Sequence, residues 1–155
     1  MDVRIVDIAE QKVLFVRRTG RYDLAAAAAW PVLMSFAYPR RLLKKDTRLI
    51  GIGHDNPDIT VEDEIRYDAC ITIDGEVTPE GEVGVQTIRG GLYAVYLHKG
   101  SYSELSASYR ALLTEWLPAS GKSQRNAPFW EMYLNRDPRR TKPENLRTKI
   151  YIPIE

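Results

Sequence analysis

The chain has 155 residues, 44% of them hydrophobic and 28% charged, the balance of one ordinary globular domain rather than a disordered chain. Its 22 Lys+Arg against 21 Asp+Glu leave a formal charge of +1, which argues against direct, broad binding to nucleic acid, since that needs a concentrated excess of cations. One cysteine, Cys70, excludes an internal disulfide and suits a reducing cytoplasm, and no stretch approaches the apolar length that spans a membrane.

In chain order, Val13-Leu14-Phe15-Val16 reads as a strand. After Gly20-Arg21-Tyr22, either Tyr22 or Asp23 opens a helix over 23–37 through a run of five alanines, the best helix former. Pro31 inside that run predicts a kink or a helix restarting there. Gly51-Ile52-Gly53-His54-Asp55 and residues 69–73 follow as strands, with Cys70 in an apolar run that reads as a buried, inert thiol. Residues 74–82, rich in glycine, proline and acids, form a link. Residues 83–88 and 92–97 flank Arg89-Gly90-Gly91, which predicts a hairpin or a glycine bulge. Ser103 caps a second helix whose stripe is Leu105, Tyr109, Leu112, Leu113 and Trp116, and Pro118 and Gly121 stop it. Residues 128–135 and 150–154 are the last strands.

These elements repeat. Gly20-Arg21-Tyr22 recurs as Gly100-Ser101-Tyr102, 80 positions on, each after a strand and before a helix. Gly51 to Asp55 then falls opposite Glu131 to Asn135, and after a slip of one residue Ile65-Arg66 matches Leu146-Arg147. The expected fold is α+β in a single domain over 1–155. Two β-α-β-β units, about 1–75 and 83–155, are related by a pseudo-two-fold axis. Antiparallel sheets are backed by two main helices, and a ligand groove lies at the junction.

Side chains alternate along a strand. Trp130, Met132 and Leu134 therefore share one face of the segment Phe129 to Leu134, which reads as core beneath a helix. Phe129, Glu131 and Tyr133 share the other, so one carboxylate lies between two aromatic rings. An ionised carboxylate in such a place must be hydrogen-bonded, protonated or satisfied by a guest. Aromatic walls with one carboxylate suit an organic cation. The alternative is a surface carboxylate whose aromatic neighbours pair across the sheet. The positions equivalent to Glu131 and Tyr133 in the first repeat are Gly51 and Gly53, which, where they face the same cleft, leave open volume opposite them.

Several segments, in order along nearly the whole chain, resemble the GyrI-like effector-binding superfamily. They are Gly51 to Asp58, Arg66 to Cys70, Gly90 to Val95, Lys99 to Tyr102, Trp116 to Gly121 and Glu131 to Asn135. That superfamily includes the stand-alone DNA gyrase inhibitor SbmC and the ligand domains of AraC-type regulators such as Rob and, more distantly, BmrR. The resemblance implies a duplicated β-α-β-β unit and a ligand groove whose acidic residue falls on Glu131. It implies aromatic pocket positions near Trp30 and Tyr67, which on spacing alone read as helix-face core and a cross-strand partner. The regulators carry a helix-turn-helix region ahead of this domain, whereas here the domain begins almost at Met1. The chain is thus a stand-alone member or an excised effector half, and DNA binding is not assigned to it.

Other motifs point to less. His54 and Asp55 are adjacent on a strand and point to opposite sides, and His98 reads as a strand-end residue. The serines make no nucleophile elbow, and two histidines with one distant cysteine give no zinc spacing, so no metal or cofactor is expected. Residues 136–142 read as a solvated cationic loop. The first expectation is therefore a binding module for a small hydrophobic or cationic molecule, using Glu131, Tyr133, Phe129, Trp30 and Tyr67. The second, implied by the resemblance, is a hydrolase of strained cyclopropane-bearing genotoxic compounds with Glu131 and Tyr133 as its catalytic pair. The third is a protein partner of DNA gyrase, or of a fused or separate DNA-binding domain.

Overall fold

The computed structural model describes every residue, Met1 to Glu155. Its strands are β1 (Val3–Ile8), β2 (Gln11–Thr19), β3 (Leu49–Gly53), β4 (Arg66–Thr72), β5 (Gly84–Ile88), β6 (Gly91–Lys99), β7 (Phe129–Tyr133) and β8 (Arg147–Pro153). Its α-helices are α1 (Tyr22–Ala37), α2 (Leu105–Ala111) and α3 (Leu117–Ser120), the last two joined by a π-helical turn, Leu112–Trp116. The fold is α+β, built from two β-α-β-β units with antiparallel strands and two main helices. The chain divides into a unit of Ala9–Gly90 and a unit that joins Met1–Ile8 to Gly91–Glu155.

In the Ala9–Gly90 unit the strands lie in the order β3-β4-β2-β5. Every neighbouring pair is antiparallel. Directly opposed residues share a face, so Leu14 and Val16 of β2 lie beside Ile71 and Ala69 of β4, on the side that carries Tyr67. That side faces α1, because Trp30 Nε1 of α1 donates to the Tyr67 hydroxyl at 2.9 Å. α1 buries Ala25, Ala29, Leu33, Phe36 and Ala37, the spacing of one helical face. The helix does not restart at Pro31 but runs through it. Pro31 lies on the exposed side, where the carbonyl left without its amide partner can meet water.

The second unit repeats the arrangement as β1-β6-β8-β7. Ala94, Ile150, Ile152 and Ile154 form its core with Leu112 of the π-turn, and Leu105, Tyr109, Leu113, Trp116 and Leu117 of the helical segment pack onto it. Thus the expected apolar stripe is the covering face. Its ends differ from expectation. Ser103 lies in a 3-10 turn, its hydroxyl hydrogen-bonded to that of Ser101 at 2.5 Å, and no side chain caps α2. Pro118 does not stop the helix but sits within the short α3, which continues the π-helical turn. Gly121, at φ 73°, ends the helix alone, in a left-handed conformation that costs glycine nothing.

One expected pairing is absent. β5 and β6, on either side of Arg89-Gly90-Gly91, do not form a hairpin. β5 pairs with β2 and β6 with β1 and β8, so the chain passes from one unit to the other at Gly91, where φ is 127°. No helix is long and apolar enough to cross a membrane.

Candidate functional site

The segment Phe129 to Tyr133 forms β7 and pairs with β8, Glu131 opposite Ile150 and Tyr133 opposite Thr148. Ile150 belongs to the helix-covered core. Glu131 therefore points under the helical segment, together with Phe129 and Tyr133. This reverses one expectation. Trp130 is core, but on the sheet face away from the helix, where it stacks on Tyr151 at 3.7 Å and meets Tyr93 edge-on. Alternation separates two faces and carries no sign, so aromatic mass alone pointed to the wrong one.

Each carboxylate oxygen of Glu131 accepts one phenol. Tyr109 of α2 donates to Oε1 at 2.8 Å and Tyr133 to Oε2 at 2.8 Å. Phe129 stacks parallel to Tyr109, with ring centroids 6.4 Å apart, and Tyr102 meets Tyr133 edge-on at 5.7 Å. Burial raises the Glu131 carboxyl above its usual range, and the two phenols, with His98 nearby, only partly pull it back. Burial, with the Glu131 charge, also raises the Tyr102 phenol. No Lys or Arg forms an ion pair with Glu131. Tyr109 and Tyr102 were not among the expected site residues. The signal for Tyr109 was a phenol in an otherwise apolar stripe, which needs a partner once covered. Replacing Tyr109 with phenylalanine should raise the Glu131 carboxyl further. A carbon-detected NMR titration of the Glu131 side chain checks this, and an unmoved midpoint would mean the phenol does not hold the charge.

Trp30 and Tyr67 meet in the other unit, joined by the indole–phenol hydrogen bond, with the Tyr22 ring edge-on to Tyr67 at 6.3 Å. Tyr67 is buried and Trp30 half-buried. Gly53 does not leave open volume: a Cβ there would meet the Tyr22 hydroxyl at 3.0 Å. That hydroxyl in turn bonds to the backbone carbonyl and N–H of Asp55.

The second buried acid was not foreseen. Asp68 of β4 is wholly buried on the sheet face away from α1. Arg17 of β2 grips it with two hydrogen bonds, Nε to Oδ1 at 2.7 Å and Nη2 to Oδ2 at 3.0 Å. His54 Nε2 meets Oδ2 at 2.7 Å and Gln86 of β5 donates to it at 2.8 Å. Burial alone would raise this carboxyl, but His54, Arg17 and Gln86 outweigh it and lower it to about 2. His54 thus partners Asp68, not its neighbour Asp55, whose carboxylate pairs with Arg66 at 2.9 Å. Cys70, two residues along, is buried, and burial pushes its thiol well above its ordinary value. No three His, Cys, Asp or Glu side chains lie close enough together to hold a metal ion.

The two acids are therefore of opposite kinds. Asp68 has the Arg17 guanidinium built in and is held ionised. Glu131 is placed among rings with hydrogen-bond donors but no cation.

Comparison with known proteins places the whole chain in one family. The GyrI-like small molecule binding domain matches residues 1–155. The probable transcriptional regulator YgiV of Escherichia coli O157:H7 is 28% identical, covering 99% of this chain and 96% of its own length. A DNA gyrase inhibitor of Erwinia billingiae is 24% identical, covering 99% and 97%. Among solved structures, the C-terminal domain of EcmrR superposes with a TM-score of 0.81 at 18% identity, covering 99% of this chain and 97% of its own. SAV2435 bound to tetraphenylphosphonium superposes with a TM-score of 0.64 at 16% identity, covering 100% and 94%.

Proposed function

Because the chain belongs to the GyrI-like small-molecule-binding family, we propose that it is a cytoplasmic binding module for amphipathic organic cations, with Glu131 as the charge partner. The observation that carries this reading is a carboxylate under the helical segment with two phenol donors and no internal cation. A cationic guest would supply what Arg17 supplies to Asp68. Tyr109, Tyr133, Tyr102 and Phe129 would offer ring faces to it, which favour cations electrostatically. Trp30 and Tyr67 are proposed as further ligand contacts on the family resemblance alone.

A relative of the same fold is described bound to tetraphenylphosphonium, which makes that ion a suitable probe. Calorimetric titration should show tetraphenylphosphonium binding at least about tenfold tighter than tetraphenylborate, an anion of the same shape. Equal affinity for both would show that burial of apolar rings, not charge, governs binding, and would remove Glu131 from its role.

A further inference from the structure

We infer that the Glu131 site has a second polar anchor, the Thr148 hydroxyl, and that its preferred guest is an organic cation carrying a hydrogen-bonding oxygen or N–H about 5–7 Å from the charge. The inference rests on the cation reading above and adds to it the class of guest.

Thr148 is 0% exposed, and its Oγ1 has no hydrogen-bond partner. The register shows why. On the helix-covered face, Thr148 stands directly between His98 of β6 and Tyr133 of β7. Both neighbours are committed elsewhere. His98 Nε2 lies 3.0 Å from the Ser101 carbonyl and Nδ1 lies 2.7 Å from Ser108 Oγ. A carbonyl can only accept, so Nε2 carries the proton, and in the neutral ring Nδ1 accepts from the Ser108 hydroxyl. Tyr133 gives its proton to Glu131 Oε2. Thr148 is left as an unanswered hydroxyl in a row whose other polar groups are paired.

A buried hydroxyl without a partner is worse for the free protein than a methyl group of the same size. A guest that brings a donor or acceptor removes that penalty. The position suits a guest already held by Glu131. Glu131 is opposite Ile150, two residues along β8 from Thr148, and diagonal neighbours on one sheet face lie within ~7 Å. A cation at Oε2 also competes with the Tyr133 phenol, and Tyr133 is the ring that flanks Thr148. Charge pairing therefore loosens the side chain that stands opposite Thr148 across the strand pair.

The test uses phenyltrimethylammonium and its 3-hydroxy and 4-hydroxy analogues, which carry an oxygen at this reach from the nitrogen. Wild type should bind one of the hydroxylated probes about tenfold tighter than the parent. Thr148→Val should cut that preference below about twofold, while Thr148→Ser keeps the preference. Thr148→Val should also melt about 2–4 °C higher, because it removes an unpaired polar group. The proposal is overturned if wild type prefers neither hydroxylated probe, if Thr148→Val keeps the preference, or if that variant melts lower than wild type. The parent probe separates this from the underlying reading. Equal binding of the parent to wild type and to Glu131→Gln, or no binding at all, removes the cation reading and this one with it. Parent binding that depends on Glu131, without any hydroxyl preference, removes Thr148 alone.

Discussion

Glutamine in place of Glu131 should weaken binding of a lipophilic cation by about 2–3 kcal/mol, roughly thirty- to hundredfold or more in Kd, and should at the same time stabilise the free protein at neutral pH. The two effects share one cause. Burial raises the Glu131 carboxyl above its usual range, against the pull of Tyr109, Tyr133 and His98. A carboxyl raised in the folded state contributes stability below its unfolded pKa and loses it as pH rises through the folded value. Above the Glu131 titration the free protein therefore carries an ionised group that its surroundings disfavour. Glutamine removes that cost, and its amide can still accept from one phenol and donate to the other. A bound cation reverses the preference, because it stabilises only the ionised acid. Wild-type affinity should accordingly climb with pH through the Glu131 titration and then level off, while the glutamine variant shows no such rise. Calorimetry across acidic to neutral pH, with thermal melts of both proteins, reads all three effects. A variant that binds as tightly as wild type at neutral pH would refute the charge pairing.

Asp68→Asn should act in the opposite direction. It should destabilise the protein by about 2–3 kcal/mol at neutral pH and leave cation binding in the folded protein unchanged. The folded carboxyl sits at about 2 against an ordinary 3.8. That difference, at about 1.4 kcal/mol per pH unit, amounts to about 2.5 kcal/mol. The sign is that of a lowered carboxyl: the contribution is present above the unfolded value near 4 and is lost as pH falls toward 2. Asparagine keeps the shape and can still accept from Arg17, but it cannot answer the guanidinium with charge. For a chain of this size the melting temperature should drop by roughly 5–10 °C at pH 7, and the gap between variant and wild type should close on acidification below about 4. A gap that persists unchanged to pH 2 would mean that packing, not the ion pair, accounts for the loss. Arg17 is 40% exposed, so much of its own charge returns to water in the variant, which is why the effect is placed below that of a fully enclosed pair.

The sequence was most legible where a local period carried the information. Alternation along 129–133 put Phe129, Glu131 and Tyr133 on one face, and they share it. The spacing of Leu105, Tyr109, Leu112, Leu113 and Trp116 identified the covering face of the second helix. The echo between Gly20-Arg21-Tyr22 and Gly100-Ser101-Tyr102 revealed two similar units. Three things were illegible for physical reasons. The face a helix covers depends on the handedness of the connection, which alternation does not record, and so Trp130 was put on the wrong side. The Asp68 cluster draws Arg17, His54 and Gln86 from segments far apart in sequence, and only the strand order brings them together. Gly53 looked like a vacancy because its partner, the Tyr22 ring, comes from the start of a helix some thirty residues earlier.

The way β1 and β5 are shared out between the units has a consequence for synthesis. β1 is made first, yet its partner β6 begins only after the whole of Ala9–Gly90 has been added. At ~5–20 residues per second the nascent strand waits roughly 4–16 s with its hydrogen-bonding edge open. It carries Ile5 and Val6 outward even in the finished protein, so on the ribosome it is a short, sticky ribbon. The alternating charges Arg4 and Asp7 that interrupt it are then gatekeepers of the interval before β6 arrives, as well as surface residues of the finished strand.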